Sequence, residues 1–349
     1  MINKLRAAKA AFFKSGHGTA GVHSLVNGAR QPFDIPAISP EEVAEAKSFF
    51  PMEKFFIFGH ARSGTTLLTR LVRVHPEVYC NYQGHFFTRQ PLLQSLVADP
   101  KVGEWLTRRS NRWNRGRDLS PVILRAAADF IMERDARKAS KSITGDKSPN
   151  SLLNGDAVRL LVRVYPDARL VFIVRDGRDA AISHRFQAFI ENPHLLSKED
   201  CRIRQDFTKD PDPFLHGTRS IFTEKSLRNA AEGWVKNVVE THQAALKLLA
   251  DAYVHLRYED LLYEPKTQMR RVWTLLGADL EVPGLWENLD QELQQNPDAE
   301  WQHQKAGDIA DSLQKGKAGS WRNILTESDR QIFWDIAGDT LKAWGYEIA

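Results

Sequence analysis

The chain has 349 residues, 42% of them hydrophobic, and a formal charge of +4. That length supports a full apolar core in one large α/β domain or two smaller ones, and the ordinary composition excludes a disordered, collagen-like or repeat chain. Two cysteines, Cys80 and Cys201, exclude a disulfide-stapled scaffold and point to a reducing, cytoplasmic setting, while 48 basic against 44 acidic residues give no sign of a nucleic-acid partner.

The N-terminus places Lys4, Arg6, Lys9 and Lys14 around a short apolar patch, Ala10 to Phe13, with no acid before Asp34. The patch is too short for a signal-peptide core. No run of the chain approaches the roughly 18 apolar residues of a membrane span. A frayed basic arm is expected, with residues 1–50 an N-terminal extension and 51–349 the main domain. Ser39-Pro40-Glu41-Glu42 has the form of a helix start: a serine cap, proline in the first turn, then acids.

Phe55-Phe56-Ile57-Phe58 reads as a buried strand. A loop from Gly59 to Gly64 follows, and Leu67, Leu68, Leu71 and Val72 then recur at helical spacing. A second unit has a strand from Leu170 to Val174, a turn at Asp176-Gly177 and a helix from about Arg178 to Phe189. A helix over Ser226 to Leu249 leads to a third strand at Tyr253 to Leu256. Alternating strands and helices predict an α/β fold with a doubly wound, mainly parallel central sheet flanked by helices. Ligands of such sheets sit beyond the carboxyl ends of the strands. The stretches 82–94, 187–213 and 290–314 are expected to supply pocket-lining residues. The last two are polar and poorly patterned, as substrate loops are. Trp234, Trp273, Trp334 and Trp344 fall at helical spacing and are expected to pack in or on the core.

The loop Gly59-His60-Ala61-Arg62-Ser63-Gly64-Thr65-Thr66 has the glycine spacing of a phosphate-binding loop, with Thr65 in place of the usual lysine. Backbone amides at a helix start bind an anionic oxygen without a side-chain charge, and Arg62 supplies a cation from within the loop. The loss of the lysine suits a single phosphate with a neighbouring leaving group. In the second unit, Arg175 ends a buried strand and Ser183 lies about two helical turns further on. A planar guanidinium and a hydroxyl converging on one point suit a second phosphate. The alternative is a structural bridge from Arg175 to Asp176 or Asp179.

These two motifs, with Lys315-Gly316-Lys317-Ala318-Gly319-Ser320-Trp321-Arg322, resemble the three cofactor-binding signatures of sulfotransferases that use 3′-phosphoadenosine 5′-phosphosulfate (PAPS). Tyr258-Glu259-Asp260-Leu261 followed by Pro265 also resembles the family, and the likeness runs over about 54–346. It implies a P-loop-like core with Arg62 at the phosphosulfate, and Ser63, Gly64, Thr65 and Thr66 around the 5′-phosphate. Arg175, Ser183, Lys315 and Gly316 would hold the 3′-phosphate, with Tyr258 near the adenine. Lys147, in Gly145-Asp146-Lys147-Ser148-Pro149, resembles the second catalytic lysine of the glycan-modifying members.

The chain departs from the family pattern at Gln314, where many members have arginine, and at two familiar base positions, which hold Gln83 and Pro149. Glutamine cannot act as a general base. His85, in Asn81-Tyr82-Gln83-Gly84-His85, has the chemistry to take a proton from an alcohol; otherwise it is a hydrogen-bonded histidine at the pocket edge. His60 and Asp146 are lesser candidates. The expected acceptor is a small molecule, a glycan or a lipid. No metal site is expected, because the histidines are scattered and neither cysteine belongs to a paired motif. Two other readings remain open: an ATP-dependent phosphotransferase, and a non-catalytic nucleotide-binding or scaffold protein.

Overall fold

The computed structural model describes residues 28–295 and 318–347, apart from 109, 111 and 153. The chain enters through α1 (Pro40–Phe49), which has the expected start. Ser39 Oγ accepts from the Glu42 amide, and the Glu42 carboxylate accepts from the Ser39 amide. Ile35, Ile38 and Ala46 are buried, so this segment packs onto the body of the molecule. There follow β1 (Glu53–Gly59), α2 (Thr65–Val72), β2 (Val78–Tyr82), α3 (Pro100–Thr107), α4 (Ser120–Lys138) and β3 (Ile143–Lys147). Next come α5 (Asp156–Val164), β4 (Arg169–Val174), α6 (Gly177–Glu191), α7 (Lys198–Lys209) and α8 (Glu224–Leu249). The chain then forms β5 (Tyr253–Arg257), α9 (Tyr258–Tyr263), α10 (Pro265–Leu276), α11 (Leu285–Leu293) and α12 (Glu327–Ala343).

The strands form one five-stranded sheet in the order β2-β3-β1-β4-β5, with every neighbouring pair parallel. Alternation along β1 divides the interior. Phe56 and Phe58 join a core with Val158 of α5, Phe186 of α6, Trp234 of α8 and Phe333 of α12. Phe55 and Ile57 join a second core with Leu68 of α2, Trp273 of α10 and Leu289 of α11. Both faces are covered, as a parallel sheet requires. β1 therefore leads into a helix on one face, while its neighbours β3 and β4 lead into helices on the other. Diverging connections open a crevice beyond the carboxyl end of β1.

The structure corrects the expected loop at 187–213. α6 runs to Glu191, and Ser197 starts α7 by accepting the Asp200 amide at 3.0 Å. Among its many charges, Ile203 and Phe207 stand four residues apart and pack against the larger core. Two apolar residues on one helical face, with a serine cap, suffice to form the helix although the stretch as a whole is polar. Trp234 and Trp273 are buried, and Trp334 and Trp344 pack against the larger core. Cys80 and Cys201 are free thiols. Among the described residues, no helix is long and apolar enough to cross a membrane.

A buried polar cluster lies at the amino end of the sheet. Lys54 Nζ is 2.8 Å from Glu133 and 3.4 Å from Asp129. Tyr165 donates to Asp129 at 2.9 Å, and Arg125 pairs with Asp167 at 2.6 Å.

Candidate functional site

The loop after β1 reaches the crevice. α2 starts at Thr65 with no side-chain cap, so its first amides are left for another partner. Gly64 has φ 87°, and a Cβ there would stand 2.2 Å from the Tyr258 ring. Only glycine fits both demands. Ser63 is fully buried, and its Oγ has no hydrogen-bond partner among the described residues. Buried hydroxyls are nearly always satisfied, so this one is able to bond to a group from outside the chain. Thr65 is buried and Thr66 half-buried beside it. On the expectation that this site takes adenosine 3′,5′-bisphosphate, Gly64→Ala should drive the Tyr258 ring out of place and abolish binding of that nucleotide. Wild-type affinity in a calorimetric titration of that variant would refute the role of this turn.

Arg62, itself left-handed at φ 68°, donates from Nε to Ser183 Oγ at 3.1 Å. Arg175 donates to the Arg62 carbonyl at 3.3 Å, and its guanidinium lies 4.8 Å from the Tyr258 ring centre. The turns after β1, β4 and β5 thus bring Arg62, Arg175, Ser183 and Tyr258 together. Of the two acids considered as bridge partners of Arg175, Asp176 pairs with Arg178 at 2.7 Å and Asp179 accepts two backbone amides. Trp234 Nε1 donates to the Arg175 carbonyl at 3.1 Å and holds the end of β4.

Two acids that the sequence reading did not assign to the site knit these turns. Glu259 accepts the Asp176 amide at 3.0 Å and the Tyr346 hydroxyl at 3.1 Å. Asp179, 1% exposed, accepts the amides of Gly319 at 2.6 Å and Trp321 at 3.0 Å. Lys315 and Gly316, named from the sequence, lie outside the described residues. The available signal for Asp179 was its repeat spacing with Asp176 at the start of a helix, which also fits a helix cap.

The opposite wall is built by β2 and β3. The successive amides of Gln83, Gly84 and His85 donate to the Lys147 carbonyl at 2.6 Å, Asp146 Oδ1 at 2.8 Å and Ser148 Oγ at 2.8 Å. These bonds hold Gln83 and His85 in left-handed backbone, at φ 57° and 52°. Lys147 is buried, with Nζ 5.0 Å from the Tyr82 ring centre. Burial pushes the Asp146 carboxyl up to about 6, against the opposing hydrogen bonds from Ser148 and Gly84. The His85 ring is half-buried, with Nδ1 2.9 Å from Thr88 Oγ1. Burial, followed by the charges of Arg89 and Lys147, lowers its pKa below the ordinary histidine value. His60 is lowered further, to about 4, by burial and then by His184. Among the described residues, no group of three or more His, Cys, Asp or Glu is placed to hold a metal ion.

Residues 54–282 match the sequence profile of the sulfotransferase family. The chain belongs to that family. Its relatives include a protein-tyrosine sulfotransferase of Drosophila melanogaster, 25% identical over 65% of this chain and 38% of that protein. A carbohydrate sulfotransferase 7 of Mus musculus is 23% identical over 74% of this chain and 67% of that protein. A mouse sulfotransferase solved as a complex with PAP is 14% identical, with a TM-score of 0.46, over 87% of this chain and 90% of that one. The chain spans between 27% and 38% of the length of the first curated relatives it matches.

Proposed function

We propose that this protein transfers a sulfuryl group from PAPS to a hydroxyl or amine of a small-molecule, glycan or lipid acceptor, releasing adenosine 3′,5′-bisphosphate. The observation that carries this reading is the convergence of Arg62, Arg175, Ser183 and Tyr258 around an uncapped helix start. Two cations and a row of free amides suit a nucleotide with two separated anionic groups. The orphaned Ser63 hydroxyl and the Gly64 cradle fit such a ligand as well.

In this reading the amides of Gly64, Thr65 and Thr66, with Ser63, hold the 5′-phosphate. Arg175 and Ser183 hold the 3′-phosphate, together with Lys315 and Gly316. Tyr258 lines the adenine side. Bound PAPS supplies sulfur joined to a good leaving group. Arg62 and Lys147 place positive charge where negative charge grows as the acceptor attacks in line, which is usually the largest catalytic contribution. The α2 dipole adds to it.

His85 takes the acceptor proton. Its lowered pKa keeps the ring neutral, and so able to accept a proton, through neutral pH. Activity should therefore hold at pH 7 and fall only in acid, as the pH drops below the ordinary histidine range and the ring protonates. His85→Ala should lower the rate and remove that acid limb. A pH–rate profile unchanged in shape and height would exclude His85 as the base.

The direct test is a screen with radiolabelled PAPS against glycans, phenols, aliphatic alcohols and lipids, preceded by thermal shift with adenosine 3′,5′-bisphosphate. Stabilisation by the bisphosphate with or without Mg²⁺ is expected. Stabilisation by ATP alone, and only with Mg²⁺, would replace this reading with phosphoryl transfer.

A further inference from the structure

Asp179 is buried in the turn that follows β4, yet it belongs to neither phosphate-holding pair. Its Oδ2 accepts the Gly319 amide at 2.6 Å and its Oδ1 the Trp321 amide at 3.0 Å. Both oxygens are thus spent on one short stretch of chain, 140 residues away in sequence. Charge-assisted bonds of this kind are about twice as strong as neutral ones. Arg178 reinforces the joint, since its guanidinium lies 3.5 Å from the Trp321 ring centre while it pairs with Asp176. Arg175 is the main cationic influence on the Asp179 carboxyl. The carboxylate therefore joins the start of α6 to the chain that enters the Trp321 turn.

We propose that Asp179 is a positioning residue for the 3′-phosphate end of the nucleotide site, acting through the Gly319–Trp321 turn that it pins to the start of α6, the helix that carries Ser183. The proposal rests on the PAPS reading given above. Pure scaffolding predicts that losing Asp179 weakens all nucleotides alike. Positioning predicts that ligands with a 3′-phosphate suffer most, because Asp179 bonds to the Gly319–Trp321 turn, while Ser63, Gly64 and Thr65 hang on the separate β1–α2 turn.

The test compares two ligands on the full chain by calorimetric titration. Adenosine 3′,5′-bisphosphate carries both phosphates, whereas adenosine 5′-monophosphate lacks the 3′ group. Asp179→Ala is expected to raise the dissociation constant of the bisphosphate about tenfold and that of the monophosphate less than about twofold. Asp179→Asn keeps one acceptor oxygen, so it should fall between alanine and wild type and serves if the alanine variant does not fold. Equal weakening of both ligands, or unchanged bisphosphate affinity in the asparagine variant, overturns the proposal. A wild-type protein that does not prefer the bisphosphate over the monophosphate would overturn the PAPS reading itself, and this proposal with it.

Discussion

Arg62→Ala is expected to reduce sulfuryl transfer about a hundredfold or more, the cost of losing a preorganised charge-stabilising donor. The fold should survive, because this side chain lies beside the crevice, where it donates to Ser183 Oγ at 3.1 Å. Core packing does not involve the side chain, which is half-buried at the mouth of the loop. The rate should suffer far more than the affinity for adenosine 3′,5′-bisphosphate, since that product lacks the group on which charge develops. Transfer from radiolabelled PAPS, the product dissociation constant and the Tm separate these effects. A variant that sulfates an acceptor at the wild-type rate would remove Arg62 from the mechanism.

Lys54→Met should act the other way, on stability and not on chemistry. Its ammonium is 2.8 Å from Glu133 and 3.4 Å from Asp129, all three nearly inaccessible. Removing one partner of a buried ion pair costs about 3–5 kcal/mol, because charge is left without compensation. The low end applies here, since Arg125 remains 3.5 Å from Asp129 and Arg137 still pairs with Glu133 at 2.5 Å. Burial already raises the Asp129 pKa, and Lys54 is the first influence holding it down. Without Lys54 the pKa rises further, so the deficit should be larger at pH 8 than at pH 5, where protonation relieves it. Urea unfolding at both pH values measures this. A loss below about 1 kcal/mol, within the range of ordinary surface changes, would show that the cluster does not depend on Lys54.

Strands were legible in proportion to their apolarity. β1, β4 and β5 stood out because Phe55 to Phe58, Leu170 to Val174 and the Tyr253 segment are apolar along most of their length. β2 and β3 did not, because Asn81, Thr144, Asp146 and Lys147 break any hydrophobic pattern. Asp146 and Lys147 are tolerated because bonds are made across the carboxyl edge: Asp146 takes the Gly84 amide and Ser148 Oγ, and the Lys147 carbonyl takes Gln83; Thr144 donates to the Met132 carbonyl at 3.1 Å. α7 escaped notice for a related reason, its few apolar residues being diluted by charge.

The phosphate-type loop was readable because it is local. Gly59 to Thr66 are contiguous, and a glycine before an uncapped helix start is a backbone property that short-range sterics settle. By itself the sequence determined the apolar strands, the helix cap at Ser39 and the glycine turn at Gly64. Each of these depends on residues within one or two turns of chain. The tertiary structure alone decided which partners meet. It turned Asp179 toward Gly319, and it set Tyr258 over Gly64 and Arg175. It also set the chemistry of the side chains, because the shifts at Asp146, His85 and His60 come first from burial. Burial is a sum over every element packed around a residue, and a linear pattern does not carry that sum.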